Sequence, residues 1–194
     1  MNATIRSAIA ALLLLPLVGG CATTGGTRYH NLQMDFGSLQ SVAVLPFANL
    51  TRDQAAGESV RDVFTTMLLA TGAVYVVPPG ETFRGLSRAN PLDPTRPSPE
   101  EVKRIAGIVS VDAVITGIVR EFGEARSGQA AANVVSVTLQ MIEAETGLVV
   151  WTGSTTKGGV TWKDRLFGGG GQPMNKVIQA AVEDLLDKFF EPVE

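Results

Sequence analysis

The run Ser41-Val-Ala-Val-Leu-Pro-Phe47 constrains the fold most, because consecutive apolar residues suit a strand buried on both faces. Such a strand needs a layer of structure above it and another below. Asn49, Thr51 and Asp53 follow as cap candidates for a helix running to about Ala70, whose Val60, Val63, Phe64, Met67 and Leu68 form one apolar stripe. Ala73 to Val77 predicts a second strand, closed by Pro78-Pro79-Gly80. Strand, helix and strand in that order build a parallel pair joined by a right-handed crossover.

The four prolines between Asn90 and Pro99 predict a loop, after which Ser98 or Pro99 with Glu100 and Glu101 starts a helix reaching about Gly107. Acids at that start favour the helix dipole. Val111 to Phe122 predicts a long apolar strand, hence a central one, and Gly117 inside it implies a bulge or a close backbone approach. Val135, Val137, Leu139 and Met141 alternate with Ser136, Thr138 and Gln140, the pattern of a strand with one buried face. Glu145-Thr146-Gly147 supplies a turn, and Leu148 to Trp151 returns as the hairpin partner. The last helix carries Val177, Ile178, Ala181, Val182, Leu185, Leu186, Phe189 and Phe190 on one stripe. The fold class expected is α/β: a single compact domain with a mixed, partly antiparallel sheet flanked by helices. Residues 41–191 suffice for one core, which at this size buries roughly 70% of the unfolded surface.

The N-terminus predicts export. Arg6 precedes an apolar stretch from Ala8 to Val18, and Gly19-Gly20 leads into Cys21. The stretch is about half the roughly 20 residues of a spanning helix. Val18-Gly19-Gly20-Cys21 resembles the lipobox of bacterial lipoproteins, which implies cleavage between Gly20 and Cys21 and acylation of Cys21, with palmitate among its chains. An ordinary cleaved signal would also accept Val18 and Gly20. Cys21 is the chain's one cysteine and so has no internal disulfide partner in an oxidising compartment, which favours lipidation. Several acyl chains, at about 0.8 kcal/mol per buried methylene, anchor stably. Ala22 in the next position goes with outer-membrane sorting in Gram-negative lipoproteins.

The division expected is therefore a signal peptide over 1–20, a lipidated N-terminus and short flexible linker over 21–40, and the α/β domain over 41–191. Fully extended, Ala22 to Gln40 reaches about 65 Å; as a flexible coil it spans nearer 25 Å. The domain is expected to work close to its membrane.

Charge excludes one class of partner. Removing residues 1–20 takes away one arginine and no acid, so the formal charge moves from -3 to -4, with no footprint for nucleic acid. Catalytic readings find little support either. The sole histidine, His30, lies in the expected linker, which leaves no histidine triad or multi-histidine metal site. Asp112 could serve as an acid-base group, but beside a strand start it is expected to bond nearby backbone amides. Glu143 and Glu145 share a strand face by parity and, next to a turn, are expected to be solvated. The Gly168 to Gly171 run lacks the Gly-Lys-Ser/Thr ending of a phosphate loop. No cofactor, metal or small-molecule substrate is expected.

Three blocks carry a resemblance: Val42-Ala-Val-Leu-Pro-Phe-Ala-Asn-Leu-Thr51, Val111-Asp-Ala-Val-Ile-Thr-Gly117, and Leu139-Gln-Met-Ile-Glu-Ala-Glu-Thr-Gly-Leu-Val-Val-Trp151. In this order, and with the lipobox, they resemble the CsgG-like lipoproteins, a group that includes the curli secretion channel CsgG, the polysaccharide lipoprotein PelC and the synthase activator LpoB. The resemblance implies a periplasm-facing, non-enzymatic domain that assembles into rings. In the curli channel two inserted hairpins form a membrane barrel. The corresponding stretches here, 123–133 and 158–175, are too short, too polar or interrupted by glycine for strands of about 9 to 11 spanning residues, so no pore is expected. Trp162, Leu166 and Phe167, set among Lys163 and Arg165, suit a membrane or subunit contact, or else pack back on the domain.

The expected function is that of an outer-membrane-anchored, periplasm-facing accessory of an export or envelope-assembly machine, partnered by copies of itself and by envelope or secretion proteins. An LpoB-like regulator of a peptidoglycan synthase is the alternative, although such a regulator crosses the periplasm on a long tether. An enzyme using carboxylates is the third.

Overall fold

A computed structural model describes residues 27–128, 130–160 and 171–191. Its strands are β1 (Arg28–His30), β2 (Ser41–Val44), β3 (Ala48–Asn49), β4 (Tyr75–Val76), β5 (Ala113–Ser127), β6 (Ala130–Glu143) and β7 (Val149–Gly158). Its helices are α1 (Ala56–Thr71), α2 (Pro79–Ala89), α3 (Pro99–Val109) and α4 (Met174–Phe190), with a 3-10 turn at Phe36–Ser38. The fold is a single α/β domain on a mixed seven-stranded sheet, ordered β1-β7-β6-β5-β2-β4, with β3 pairing β5 beyond the end of β2.

The apolar run at Ser41 forms a strand parallel to both neighbours: Val42 pairs with Val76 on β4 and with Ala113 on β5. Val42, Ala43 and Leu45 are fully buried, as a strand covered on both faces requires. From β5 onward the sheet is antiparallel, β5 to β6 to β7. One face is covered by α1 and α4, whose Val60, Phe64, Leu68, Val182 and Leu185 pack on Val44, Ile115, Leu139 and Trp151. On the other face α2 and α3 cover only the β2 side, where Leu86, Val102 and Ile105 meet Leu45, Val114 and Ile142. The rest of that face carries Ser136, Thr138, Gln140, Thr152, Ser154 and Thr156, half-buried or exposed. Polar alternation lets an antiparallel sheet meet water there.

Helix starts follow local chemistry. Ser98 caps α3 by a reciprocal box with Glu101, with Pro99 in the first turn. Asn49, Thr51 and Asp53 act one step earlier than expected: Asp53 accepts the Ala55 amide at 2.9 Å, Asn49 donates to the Asp53 carbonyl at 2.7 Å, and Ala55 at the cap position has no side-chain bond. Pro78-Pro79-Gly80 closes β4 and also opens α2, a helix that the turn signal alone does not predict. Gly117 is the site of a close approach by side chains, since an added Cβ would stand 2.6 Å from Leu139 Cδ2 and 3.0 Å from Phe47 Cγ. The bulge lies further on, between Val119 and Glu121.

Part of the expected linker is structured among the described residues. Arg28–His30 adds an antiparallel edge strand to β7, and Leu39 is buried. The stretch 123–133 continues the β5–β6 ribbon to Ser127 opposite Ala130, past the last β7 pairing at Val134. No helix of the described residues is long and apolar enough to cross a membrane.

Candidate functional site

Among the described residues, β1 brings several polar and aromatic side chains together with β7 and the end of α4. Thr27 donates its amide to the Ser154 hydroxyl at 3.0 Å, and the two hydroxyls bond at 2.8 Å. Arg28 pairs with Glu191 at 2.5 Å, linking β1 to the residue that follows α4. His30 turns to the same sheet face as Arg28, against Trp151 and Phe36. Burial lowers the pKa of its imidazole; the Lys188 carbonyl draws it back up, Arg28 lowers it further, and Glu191 raises it. His30, Phe36, Leu39, Val74, Phe189 and Phe190 line a cavity of about 440 Å³ beside the strand.

Beneath β1 a lysine and carboxylate network fixes α4 to β7. Asp184 accepts from Lys157 and Lys188, and Lys188 also donates to the Ser154 carbonyl at 3.0 Å. The run from Thr27 through Ser154 and Lys188 to Asp184 therefore fastens the N-terminal entry to the last helix.

Asp112 stands apart, at the start of β5. Its Oδ2 accepts the Gln40 amide at 3.0 Å and the Ser41 amide and hydroxyl at 2.8 Å each. The Ser41 hydroxyl bond holds this carboxyl below the ordinary range; burial is the next influence and opposes it, and the Gln40 and Ser41 amides add to the lowering. A group so engaged is a structural acceptor, as its place beside a strand start implies. The adjoining groove, about 530 Å³, is lined by Lys103, Glu143 and Glu145 as well. Glu143 ends β6 and accepts the Thr146 hydroxyl, while Glu145 lies in the turn and is exposed. They do not form a pair on one strand face.

Gly20, Cys21, Trp162, Leu166 and Phe167 lie outside the described residues, as does Gly168; Gly171 donates its amide to the Ala131 carbonyl at 3.4 Å. His30 falls in the stretch expected as a linker but lies on β1, so it is a site residue that the sequence does not single out. The signal was slight: a single aromatic, Tyr29, between two basic residues. Among the described residues no three His, Cys, Asp or Glu side chains are grouped to hold a metal ion.

Comparison with known proteins bears on the whole domain. The family model described as "Putative lipoprotein GNA1162-like" matches residues 31–191. No curated protein matches the chain. Among solved structures, the PelC dodecamer from Paraburkholderia phytofirmans is 19% identical, with a TM-score of 0.57 over 84% of this chain and 97% of that one. Lipoprotein GNA1162 from Neisseria meningitidis is 16% identical, with a TM-score of 0.56 over 77% and 97%. Protein CT253 from Chlamydia trachomatis is 12% identical, with a TM-score of 0.53 over 78% and 96%. These likenesses are of fold. PelC belongs to the group that the three sequence blocks resemble, so that resemblance holds.

Proposed function

Because the chain belongs to the GNA1162-like lipoprotein family, we propose that it is a lipid-anchored envelope protein that acts by contact rather than by catalysis. Cys21 carries the lipid, Gly20 precedes the cleavage point, and the domain faces the periplasm from the outer membrane. There it assembles with copies of itself into a ring that serves an export or envelope-assembly machine. PelC, whose fold it shares, forms a dodecamer.

The observation that carries this reading is the position of β1. Thr27 is tied to Ser154, so the residues from Ala22 to Thr27, six in all, separate the lipobox cysteine from the sheet. Fully extended they reach about 20 Å. A module held so near a bilayer is suited to partners in or on that membrane, and poorly to a synthase across the periplasm. Trp162, Leu166 and Phe167, with their basic neighbours, are the residues proposed to meet the lipid surface or the next subunit.

Two measurements test it. Metabolic labelling with a clickable fatty acid labels the wild type and leaves Cys21→Ala unlabelled; label on both, or on neither, sinks the anchor. Mass photometry of the detergent-purified protein finds particles of many subunits, and strictly monomeric particles at every concentration sink the ring.

A further inference from the structure

Among the described residues, the buried side-chain nitrogens that lack a hydrogen-bond partner belong to two neighbours: both ring nitrogens of His30 and the indole nitrogen of Trp151. The two rings meet edge-on, 6.4 Å between centroids, and Phe36 packs on the imidazole at 5.2 Å. Phe189 closes the cluster against Trp151, also at 5.2 Å. An edge strand of three residues thus carries an imidazole wedged among aromatic rings. A neutral ring is tolerated there at modest cost, whereas an imidazolium would be a charge stripped of its water.

The surrounding charges do not reverse that preference. Arg28, on the same strand and sheet face, opposes a proton on the ring. Glu191 favours one, but its carboxylate is engaged by Arg28. The Lys188 carbonyl also favours one, without completing a hydrogen bond to the ring, and the Lys188 ammonium is turned to Asp184 and Ser154. Asp35, at the head of the 3-10 turn, accepts the Gly37 amide. Opposite His30 and Arg28, β7 presents Trp151 and Gly153. Desolvation is the largest influence, and it holds the imidazole below its ordinary range.

What keeps β1 in place is slight. Beyond its three-residue pairing there are the Asn31 amide to the Val150 carbonyl at 2.8 Å, the Thr27–Ser154 bonds and the exposed Arg28–Glu191 pair. A short edge strand is the kind of element that opens without global unfolding. We propose that β1 is a proton-released latch, closed on β7 while His30 is neutral and let go when the imidazole takes up its second proton.

Linkage fixes the direction. The released strand binds the proton more readily than the closed one, so the closed state gains stability with rising pH until about pH 6.5, the ordinary histidine value. Above that the hold is complete, and it weakens as the pH falls toward the closed-state midpoint. The consequence for reach rests on the lipid anchor proposed above. With β1 closed, six residues separate Cys21 from the sheet; with the strand free as far as Gln33, twelve do. The extended reach then rises from about 20 Å to about 40 Å. Met34, packed against the core, stops the peeling there, with Leu39 buried beyond it.

Because His30 is the chain's single histidine, its imidazole gives one set of signals in nitrogen-correlated NMR spectra of the full chain, expressed with its own leader and purified in detergent. The expected result is a titration midpoint below 6.5, with protection of the Tyr29 and Asn31 amides, which face β7, falling at least tenfold from pH 7.5 to pH 5 after correction for intrinsic exchange. Phe64 in α1 keeps its protection across that range. In His30→Phe, or in His30→Gln if the first does not fold, protection of β1 no longer depends on pH. A midpoint at or above 6.5 overturns the latch, and so does β1 protection that ignores pH in the wild type or follows it equally in the variant. None of these readings requires the lipid, so failure of the latch and failure of the anchor are told apart by the fatty-acid labelling.

Discussion

Ser41 and Asp112 hold each other from both sides. The Asp112 carboxylate accepts the Ser41 amide and hydroxyl at 2.8 Å each, while the Ser41 carbonyl accepts the Asp112 amide at 3.1 Å. This knot fixes the starts of two parallel strands, β2 and β5, in register. Asp112→Asn replaces a charged acceptor by a neutral one and is expected to cost about 1 kcal/mol, the exposure of the carboxylate keeping the figure small. Urea melts at pH 7 measure it. A variant as stable as the wild type would mean that water replaces the bonds at no cost.

The same carboxylate sets an acid limit. The Ser41 hydroxyl bond foremost holds the Asp112 carboxyl below its ordinary range. The Thr95 hydroxyl does the same for Asp93, and the Leu92 amide, with the Ser98 amide and hydroxyl, does so for Glu101. In each case the folded form binds the proton less readily than the unfolded form. Their contribution is therefore present above the ordinary carboxylate values near pH 4 and is lost as the pH falls through the folded-state values. Urea midpoints measured downward from pH 5 should decline, and should decline less steeply in Asp112→Asn. Parallel curves would place the acid sensitivity elsewhere.

Ser98→Ala isolates one helix start. The Ser98 hydroxyl accepts the Glu101 amide at 3.4 Å, and the Glu101 carboxylate reaches back to the Ser98 amide at 2.7 Å while also accepting the Leu92 amide at 2.8 Å. Removing the hydroxyl should cost about 1 kcal/mol, seen as a lower urea midpoint with an unchanged slope. Glu101→Ala should cost more, because it also frees the proline-rich loop at Leu92. The reverse order would show that the loop bond contributes little.

These elements were legible because their signals are local. Ser98 followed by Pro99, Glu100 and Glu101 spells a helix start, and the alternation from Val135 to Met141 spells a strand with one buried face. Helix α2 was not legible, since Pro78-Pro79-Gly80 is chemically both a stop and a start. Its Gly85 also has a reason only in three dimensions, where a Cβ would stand 2.3 Å from Val109 Cγ1 on α3. The strand β1 escaped for a related reason. Arg28-Tyr29-His30 has no apolar rhythm, and its partner β7 lies about 120 residues away.

Gly117→Ala probes the tightest point of the central strand. Its new Cβ would meet Leu139 Cδ2 at 2.6 Å and the Phe47 ring at 3.0 and 3.1 Å, and those neighbours are buried and packed. Overpacking of this kind should cost about 1 to 3 kcal/mol. Leu139→Ala removes the nearer obstacle, so the double variant should be less destabilised than the sum of the two single variants. Strict additivity in urea melts would place the strain in the backbone instead.

The hub of the α4–β7 contact is Asp184, set between the ammonium groups of Lys157 and Lys188. Burial pushes its carboxyl up, but hydrogen bonds from Lys157, Lys188 and Thr155 together outweigh burial and hold it below the ordinary range. The three charged side chains keep between 19% and 27% of their exposure, so the pairing is only partly shielded from water. Asp184→Ala leaves two positive charges side by side without a counter-charge. The expected loss is about 2 kcal/mol, below the range for fully buried pairs. Lys188 would also be freer to leave the Ser154 carbonyl, so amide exchange at Thr27 and Tyr29 should quicken along with the fall in stability. Replacing Lys157 by methionine in the same chain removes one of the stranded charges and should recover part of the loss. If the double variant is no more stable than Asp184→Ala alone, packing rather than charge holds the last helix to the sheet.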